Sequence, residues 1–139
     1  SMVVKDHCKK NINAFASKLN RIAVSNMHAS PYSKRYLQHL LDHRLYYLAI
    51  YADVLDRALA KTNQPLNELN LLDFGSGNGL LGMFAKDCGF EKVFLCDLSE
   101  NFVEASRLTA QALQINIDGF ITGELTEAKD QLRDNILIL

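Results

Sequence analysis

LLDFGSGNGLLG, residues 71–82, is the stretch of sequence that decides the fold. Four of its twelve residues are glycine, and they follow directly on an apolar run. A strand that ends in glycines and opens a helix leaves bare backbone N–H groups, which a ligand can approach closely. The stretch therefore predicts a strand, a ligand-binding loop and a helix in that order.

Strands and helices alternate after this loop. The apolar pattern predicts strands over 69–74, 92–96, 120–122 and 135–139, with helices over 79–88 and 100–114. Gly89 ends the first of these helices, Ser99 is placed as the N-cap of the second, and 126–132 reads as a short helix or a loop. This alternation predicts an α/β fold with a Rossmann-like parallel sheet and helices on its faces.

Residues 1–65 precede that sheet as an N-terminal helical arm. Apolar residues recur at helical spacing between Val4 and Met27, which predicts one amphipathic helix. Ser30 and Pro31 supply the N-cap and first-turn proline of a second, long helix that ends before Pro65. One predicted buried stripe of this helix consists of Leu37, Leu41, Leu45, Leu48, Ala52, Leu55 and Leu59. We therefore expect two parts, the arm over 1–65 and an α/β unit over 66–139.

Composition places the chain among ordinary globular proteins. Hydrophobic residues make up 48% and charged residues 22% of its 139 residues, which is an average balance. No apolar run approaches the roughly 20 residues that a membrane span needs. Cys8, Cys88 and Cys96 are odd in number and lie within apolar pattern. We therefore expect reduced thiols, a cytoplasmic location and no membrane partner.

The net charge of −1 hides an asymmetry between the two parts. Residues 1–65 hold 10 Lys and Arg against 4 Asp and Glu, whereas residues 66–139 hold 5 against 12. A basic arm beside an acidic unit is compatible with a surface that contacts RNA. Because no run of Lys and Arg exceeds two residues, ordinary solvated helix faces are the simpler interpretation.

Two kinds of cofactor fit the glycine pattern. Read from Gly77, the string is a G-x-G-x-x-G, the pattern of NAD-binding and flavin-binding folds, in which a pyrophosphate lies on the helix N-terminus. Asp73, however, ends the strand where the ligand lies, and a carboxylate repels a pyrophosphate while attracting a cation. S-adenosylmethionine carries a sulfonium and an ammonium and has no phosphate. Asp73 therefore favours S-adenosylmethionine.

Further acids follow the next two strands. Asp97 lies at the end of the second strand, 20 residues beyond Gly77. An acid in this place accepts the ribose hydroxyls of an adenosine, whichever cofactor carries it. Leu98 is placed to cover one face of the adenine, and Glu124, just past the third strand, to accept a hydrogen bond from the adenine amino group.

LLDFGSGNG, LCDLS and ITGEL at these spacings resemble the first half of a class I S-adenosylmethionine-dependent methyltransferase. The resemblance covers roughly residues 69–139. In that family the glycine-rich motif cradles the methionine portion, and acids after the second and third strands bind the ribose and the adenine. Glu124 departs mildly, because aspartate is commoner there. The implied cofactor-binding residues are Asp73, Gly75, Ser76, Gly77, Gly79, Asp97, Leu98 and Glu124.

The resemblance also implies that the chain holds only the N-terminal part of the family's domain. The family sheet has seven strands, so we expect a sheet truncated after the fourth strand. An open apolar edge there favours self-association into a homo-oligomer. The motif that handles the methyl acceptor follows the fourth strand, so a small molecule, an RNA and a protein all stay open as acceptors, and no catalytic base is assigned.

Histidines and tyrosines of the arm are further candidates for functional sites. His39 and His43 lie four apart on one helix, but no third ligand accompanies them, so we expect no metal site. Tyr46, Tyr47 and Tyr51 either reach over the cofactor site or pack within the arm, and packing is the commoner role. Three functions remain: a methyltransferase or its cofactor-binding part, an NAD-dependent oxidoreductase domain, and a non-catalytic interaction module of the same fold.

Overall fold

The computed structural model describes residues 5–130, 132 and 136–139. Two predicted boundaries lie outside the described residues. They are the start of the first helix at Val4 and the first residue of the fourth strand at Asn135.

A four-stranded parallel sheet forms the centre of the described part. Its strands, in the spatial order β3-β2-β1-β4, are β1 (Asn70–Phe74), β2 (Lys92–Asp97), β3 (Gly119–Thr122) and β4 (Ile136–Ile138). All three pairings are parallel. The predicted α/β class and parallel sheet are confirmed.

The central strands are apolar because both of their faces are covered. Leu71 and Leu72 of β1 are fully buried, and they belong to two different apolar clusters. Successive residues of a strand point to opposite faces, so these clusters lie on the two sides of the sheet. Val93 and Leu95 of β2 are buried in the larger cluster. Near-continuous apolar runs of this kind are typical of parallel strands between helical layers.

Local signals set the helices of the α/β unit. Helix α4 (Leu80–Cys88) ends at Gly89, which has a left-handed φ of +117°. Helix α5 (Glu100–Leu113) begins at Ser99, whose Oγ accepts a hydrogen bond from the Phe102 N–H. Both caps agree with the sequence prediction. The segment after the third strand, for which the sequence allows a helix or a loop, forms a short helix, α6 (Leu125–Asp130).

The first predicted helix is shorter than its apolar pattern. Helix α1 spans Ile12–Lys18, with 3-10 turns over Lys9–Asn11 and Leu19–Arg21, and the backbone becomes extended at Ile22. The prediction of one helix through Met27 is therefore wrong. Residues 20–26 include two asparagines and a serine, which are weak helix formers, so periodic apolar residues there do not suffice for a helix.

The second predicted helix is two helices. Helix α2 (Pro31–Asp42) begins as predicted, with the Ser30 side chain as cap and Pro31 in the first turn. A break at His43 separates it from helix α3 (Arg44–Ala60). Arg44 Nε donates to the Leu41 carbonyl oxygen at 2.8 Å, which stabilises the end of α2.

The break also corrects the predicted buried stripe. Leu41 and Leu48 are buried, but Leu45 between them is 56% exposed. Helical spacing from one side of the break does not continue across it, so Leu45 turns away from the core.

The arm and the sheet share one apolar core. Phe15 of α1 packs edge-on against Phe84 of α4, with ring centroids 5.3 Å apart. Leu48 and Leu55 of α3 belong to the same buried cluster. In the part of the chain that is described, no helix combines the length and the apolarity that crossing a bilayer requires.

Candidate functional site

The glycine loop has a backbone that side chains rarely allow. Gly75, Gly77 and Gly79 have φ values of +72°, +57° and +81°, in the left-handed region that glycine enters without strain. The N–H groups of Gly75 and Ser76 both donate to the Cys96 carbonyl oxygen, at 2.8 and 3.0 Å. A Cβ built on Gly75 would meet no atom within 4 Å. The loop is therefore anchored to β2 and open at Gly75.

Two glycines of the motif bring α4 close to β2. A Cβ on Gly79 would lie 2.6 Å from Leu95 Cδ1, and a Cβ on Gly82 would lie 2.3 Å from Leu95 Cδ2. Contacts that short do not occur between real side chains, so a side chain at either position would force the buried Leu95 to shift. The predicted cofactor residue Gly79 thus has a packing role, with its side facing the core.

Asp73 is a buried carboxyl group beside the loop. Asp73 lies near the carboxyl end of β1 and is only 5% exposed. Its Oδ2 has no hydrogen-bond partner among the described residues. Burial raises the pKa of Asp73 to about 7, the nearby backbone N–H of Gly82 opposes the rise, and the charge of Asp97 adds to it. This environment suits a ligand group that is cationic or donates hydrogen bonds.

Asp97 is fixed by two backbone N–H groups. Its Oδ2 accepts from Gly77 at 3.0 Å and its Oδ1 accepts from Ser99 at 2.8 Å. The carboxylate therefore lies at the end of β2, directly against the glycine loop. Each oxygen keeps a further lone pair, so the pair can still accept two vicinal hydroxyl groups.

Leu98 and Glu124 flank this centre. Leu98 is 62% exposed, so its side chain is available to a ligand. Glu124 is exposed and lies between β3 and α6. The Gly123 N–H donates to the Asp97 carbonyl oxygen at 3.1 Å. The structure therefore brings Asp73, the loop and Asp97 together, with Leu98 and Glu124 farther along the same edge of the sheet.

A comparison with protein families agrees with this geometry. The family described as "Methyltransferase small domain" matches residues 50–138. The chain belongs to this family. It is a family of class I S-adenosylmethionine-dependent methyltransferases, and its members generally bind S-adenosylmethionine. A search among curated proteins gave no significant match.

The matched segment runs from α3 to β4 and includes all eight cofactor residues predicted from the sequence. The predicted resemblance to class I methyltransferases is confirmed. Helix α2 precedes the part of the chain that the methyltransferase family matches.

Two polar residues that sequence analysis missed hold the glycine loop in place. Ser106 Oγ lies 2.9 Å from the Gly77 carbonyl oxygen and is fully buried. Asn78 is 1% exposed, and its Nδ2 donates to the Ser33 carbonyl oxygen of α2 at 3.3 Å. Ser106 carries a detectable signal, since it is a polar residue on the apolar face of α5 between Val103 and Ala110. Nothing local points to the partner of Asn78.

The aromatic residue over the loop is Tyr36 of α2. A Cβ on Gly77 would lie 3.4 Å from Tyr36 Cε1. Tyr46, one of three sequence candidates for covering the cofactor site, is 67% exposed and packs against the Tyr47 ring. Tyr51 is near enough to Asp73 for the carboxylate to contribute to its raised pKa, which burial dominates.

Other features of the described residues lie apart from the loop. A cavity of 720 Å³ is lined by Leu59, Pro65 and Leu66 among others, and none of its lining residues belongs to the glycine loop. No group of three or more His, Cys, Asp or Glu among the described residues is arranged to hold a metal ion. His39 Nε2 instead lies 3.0 Å from the Tyr47 hydroxyl.

Proposed function

We propose that this chain binds S-adenosylmethionine across the carboxyl ends of β1 and β2, as the cofactor site of a methyltransferase. The observation that carries the proposal is a pair of carboxyl groups with different surroundings at one glycine loop. Asp73 is buried, and its Oδ2 has no hydrogen-bond partner among the described residues. Asp97 is held by two backbone N–H groups.

The polar atoms around the loop fit the methionine end of this cofactor. Asp73 Oδ2 and Ser76 Oγ are buried and lack hydrogen-bond partners within the described part of the chain. A buried polar atom without a partner is costly, and an ammonium group supplies three donors. A pyrophosphate supplies none and would meet the Asp73 carboxylate. These atoms therefore favour S-adenosylmethionine over a nicotinamide dinucleotide.

The role of this chain in methyl transfer is to bind and orient. S-adenosylmethionine, when bound, supplies a methyl group that the sulfonium already activates. Asp97 would accept hydrogen bonds from the two ribose hydroxyls, Leu98 would cover a face of the adenine, and Glu124 would accept a hydrogen bond from the adenine amino group. A cofactor held rigidly at the sheet edge presents its methyl group to the acceptor in a fixed orientation. This positioning is the main contribution that an enzyme makes to such a displacement.

Calorimetric titration with S-adenosylhomocysteine tests the proposal, with NADH as the parallel control. We expect a dissociation constant in the micromolar range for S-adenosylhomocysteine, on the order of 8 kcal/mol of binding free energy, and no heat of binding with NADH. Binding of NADH alone would support an oxidoreductase domain instead. Binding of neither compound would support a non-catalytic module.

A further inference from the structure

Helix α2 touches the glycine loop at two points, although it lies before the segment that the family matches. The ring of Tyr36 lies over Gly77, at 3.4 Å from the position of a Cβ. The Asn78 side chain donates to the Ser33 carbonyl oxygen at 3.3 Å. Ser33 and Asn78 are 2% and 1% exposed, so this hydrogen bond is shielded from water.

An aromatic cluster extends the contact to the start of α5. The rings of Tyr36 and Tyr32 pack against Phe102 with centroids 5.6 and 5.7 Å away. Phe102 lies in the first turn of α5, and its N–H bonds to Ser99, whose own N–H bonds to Asp97. Tyr36 therefore bridges the loop and the element that follows Asp97.

Tyr36 is placed to meet a ligand with both its ring and its hydroxyl group. Its side chain is 41% exposed, so part of the ring is free of the protein core. Burial raises the pKa of Tyr36, and smaller contributions to the rise come from Tyr47 and Tyr32 and then from Asp97 and Asp73. The phenol therefore keeps its proton at neutral pH and can donate a hydrogen bond.

The cover that Tyr36 provides is one-sided. The loop is covered at Gly77, but a Cβ at Gly75 would meet nothing within 4 Å. The Gly75 side of the loop is therefore open to a ligand, while the Gly77 side is covered by the Tyr36 ring. Asn78, whose Oδ1 has no partner among the residues described, holds the helix that carries this ring.

We propose that helix α2 forms one wall of the cofactor site, with Tyr36 contacting the bound cofactor and Asn78 positioning the helix. This inference rests on the proposed binding of S-adenosylmethionine. It adds a ligand contact from outside the family segment, and it implies that residues 50–138 alone form an incomplete site.

Titration of three variants with S-adenosylhomocysteine tests the inference. We expect Tyr36→Ala to weaken binding about tenfold, because an aromatic contact is lost. Tyr36→Phe keeps the ring and should remain within about threefold of the wild type. Tyr46→Ala is the matched control, since it removes an exposed tyrosine of the same arm, and its affinity should not change.

A second measurement uses the unaltered chain, so it does not depend on how the variants fold. Hydrogen exchange should show that S-adenosylhomocysteine protects backbone amides of 31–42 as well as those of 75–79. Protection of 75–79 without 31–42, or wild-type affinity in Tyr36→Ala, would overturn this inference while the proposed function stands. Failure of the wild-type chain to bind S-adenosylhomocysteine would overturn the proposed function itself.

Discussion

The two sides of the candidate site are held by different means. On the sheet side, glycines with left-handed φ values and hydrogen bonds to Asp97 set the shape of the loop. On the arm side, a ring contact and one side-chain hydrogen bond join residues more than 40 positions apart in the chain. Backbone conformation can be inferred from the residue types in a short stretch of sequence, whereas contacts between distant side chains cannot. The sheet side is therefore predictable from sequence and the arm side is not.

The largest expected effect concerns the buried Asp73. Its pKa is raised to about 7 from an ordinary value of 3.8. The folded state therefore holds a proton that the unfolded chain releases, and the stability from this group is complete below pH 3.8 and is lost as the pH rises through 7. Asp73→Asn avoids ionisation, so at pH 8 it should raise the free energy of unfolding by up to about 4 kcal/mol.

Urea unfolding of both proteins at pH 5 and pH 8 measures this difference. The gain of Asp73→Asn should be much smaller at pH 5 than at pH 8. Its affinity for S-adenosylmethionine should fall about tenfold, because the charge that attracts the cation is gone. Tighter binding by Asp73→Asn would contradict the electrostatic role, and equal pH dependence in the two proteins would contradict the burial argument.

The next effect tests the side of the site that the backbone holds. Asp97→Ala removes the acceptor of the Gly77 and Ser99 N–H groups along with the proposed ribose ligand. We expect an affinity loss of about 100-fold for S-adenosylhomocysteine in calorimetry. Asp97→Asn keeps one acceptor oxygen and should lose less. Circular dichroism checks that the fold persists, and unchanged affinity in Asp97→Ala would remove Asp97 from the ribose site.

A third prediction concerns how the arm is held. Asp56 is 3% exposed, and its two oxygens accept from the Cys8 and Lys9 N–H groups at 2.8 and 3.1 Å. Asp56→Ala leaves both donors without this acceptor, so the free energy of unfolding should fall by about 1–3 kcal/mol. Asp53→Ala, which removes an exposed ion pair with Arg57, should cost at most about 0.5 kcal/mol. Equal urea midpoints for the two variants would show that Asp56 does not anchor the arm.

The helices of the two parts show which structural features can be predicted from the sequence. Ser99 and Gly89 bound their helices as predicted, because a cap is a property of a few neighbouring residues. The break at His43 was not predicted, since neither glycine nor proline is near it. Its stabilising contact, from Arg44 to the Leu41 carbonyl oxygen, depends on side-chain placement in the folded arm.

The same distinction applies within the site. The positions of Asp73 and Asp97 follow from one rule, that parallel strands bring their carboxyl ends to one edge of the sheet. Tyr36 follows from no such rule. Its place over Gly77 accompanies contacts of α2 with Phe102 and Asn78, which lie more than 40 positions away in the chain and which the apolar pattern of α2 does not reveal.

The smallest expected effect concerns Glu124, the exposed cofactor residue proposed on the sheet side. Glu124 follows β3, and its side chain is exposed to water. Water competes for any hydrogen bond it makes, so Glu124→Ala should weaken S-adenosylhomocysteine binding only about threefold. Glu104→Ala, another exposed acid, is the control and should bind as the wild type does. A loss in Glu124→Ala larger than that in Tyr36→Ala would mean that position on the sheet edge, rather than rigid support, decides which residues bind the cofactor.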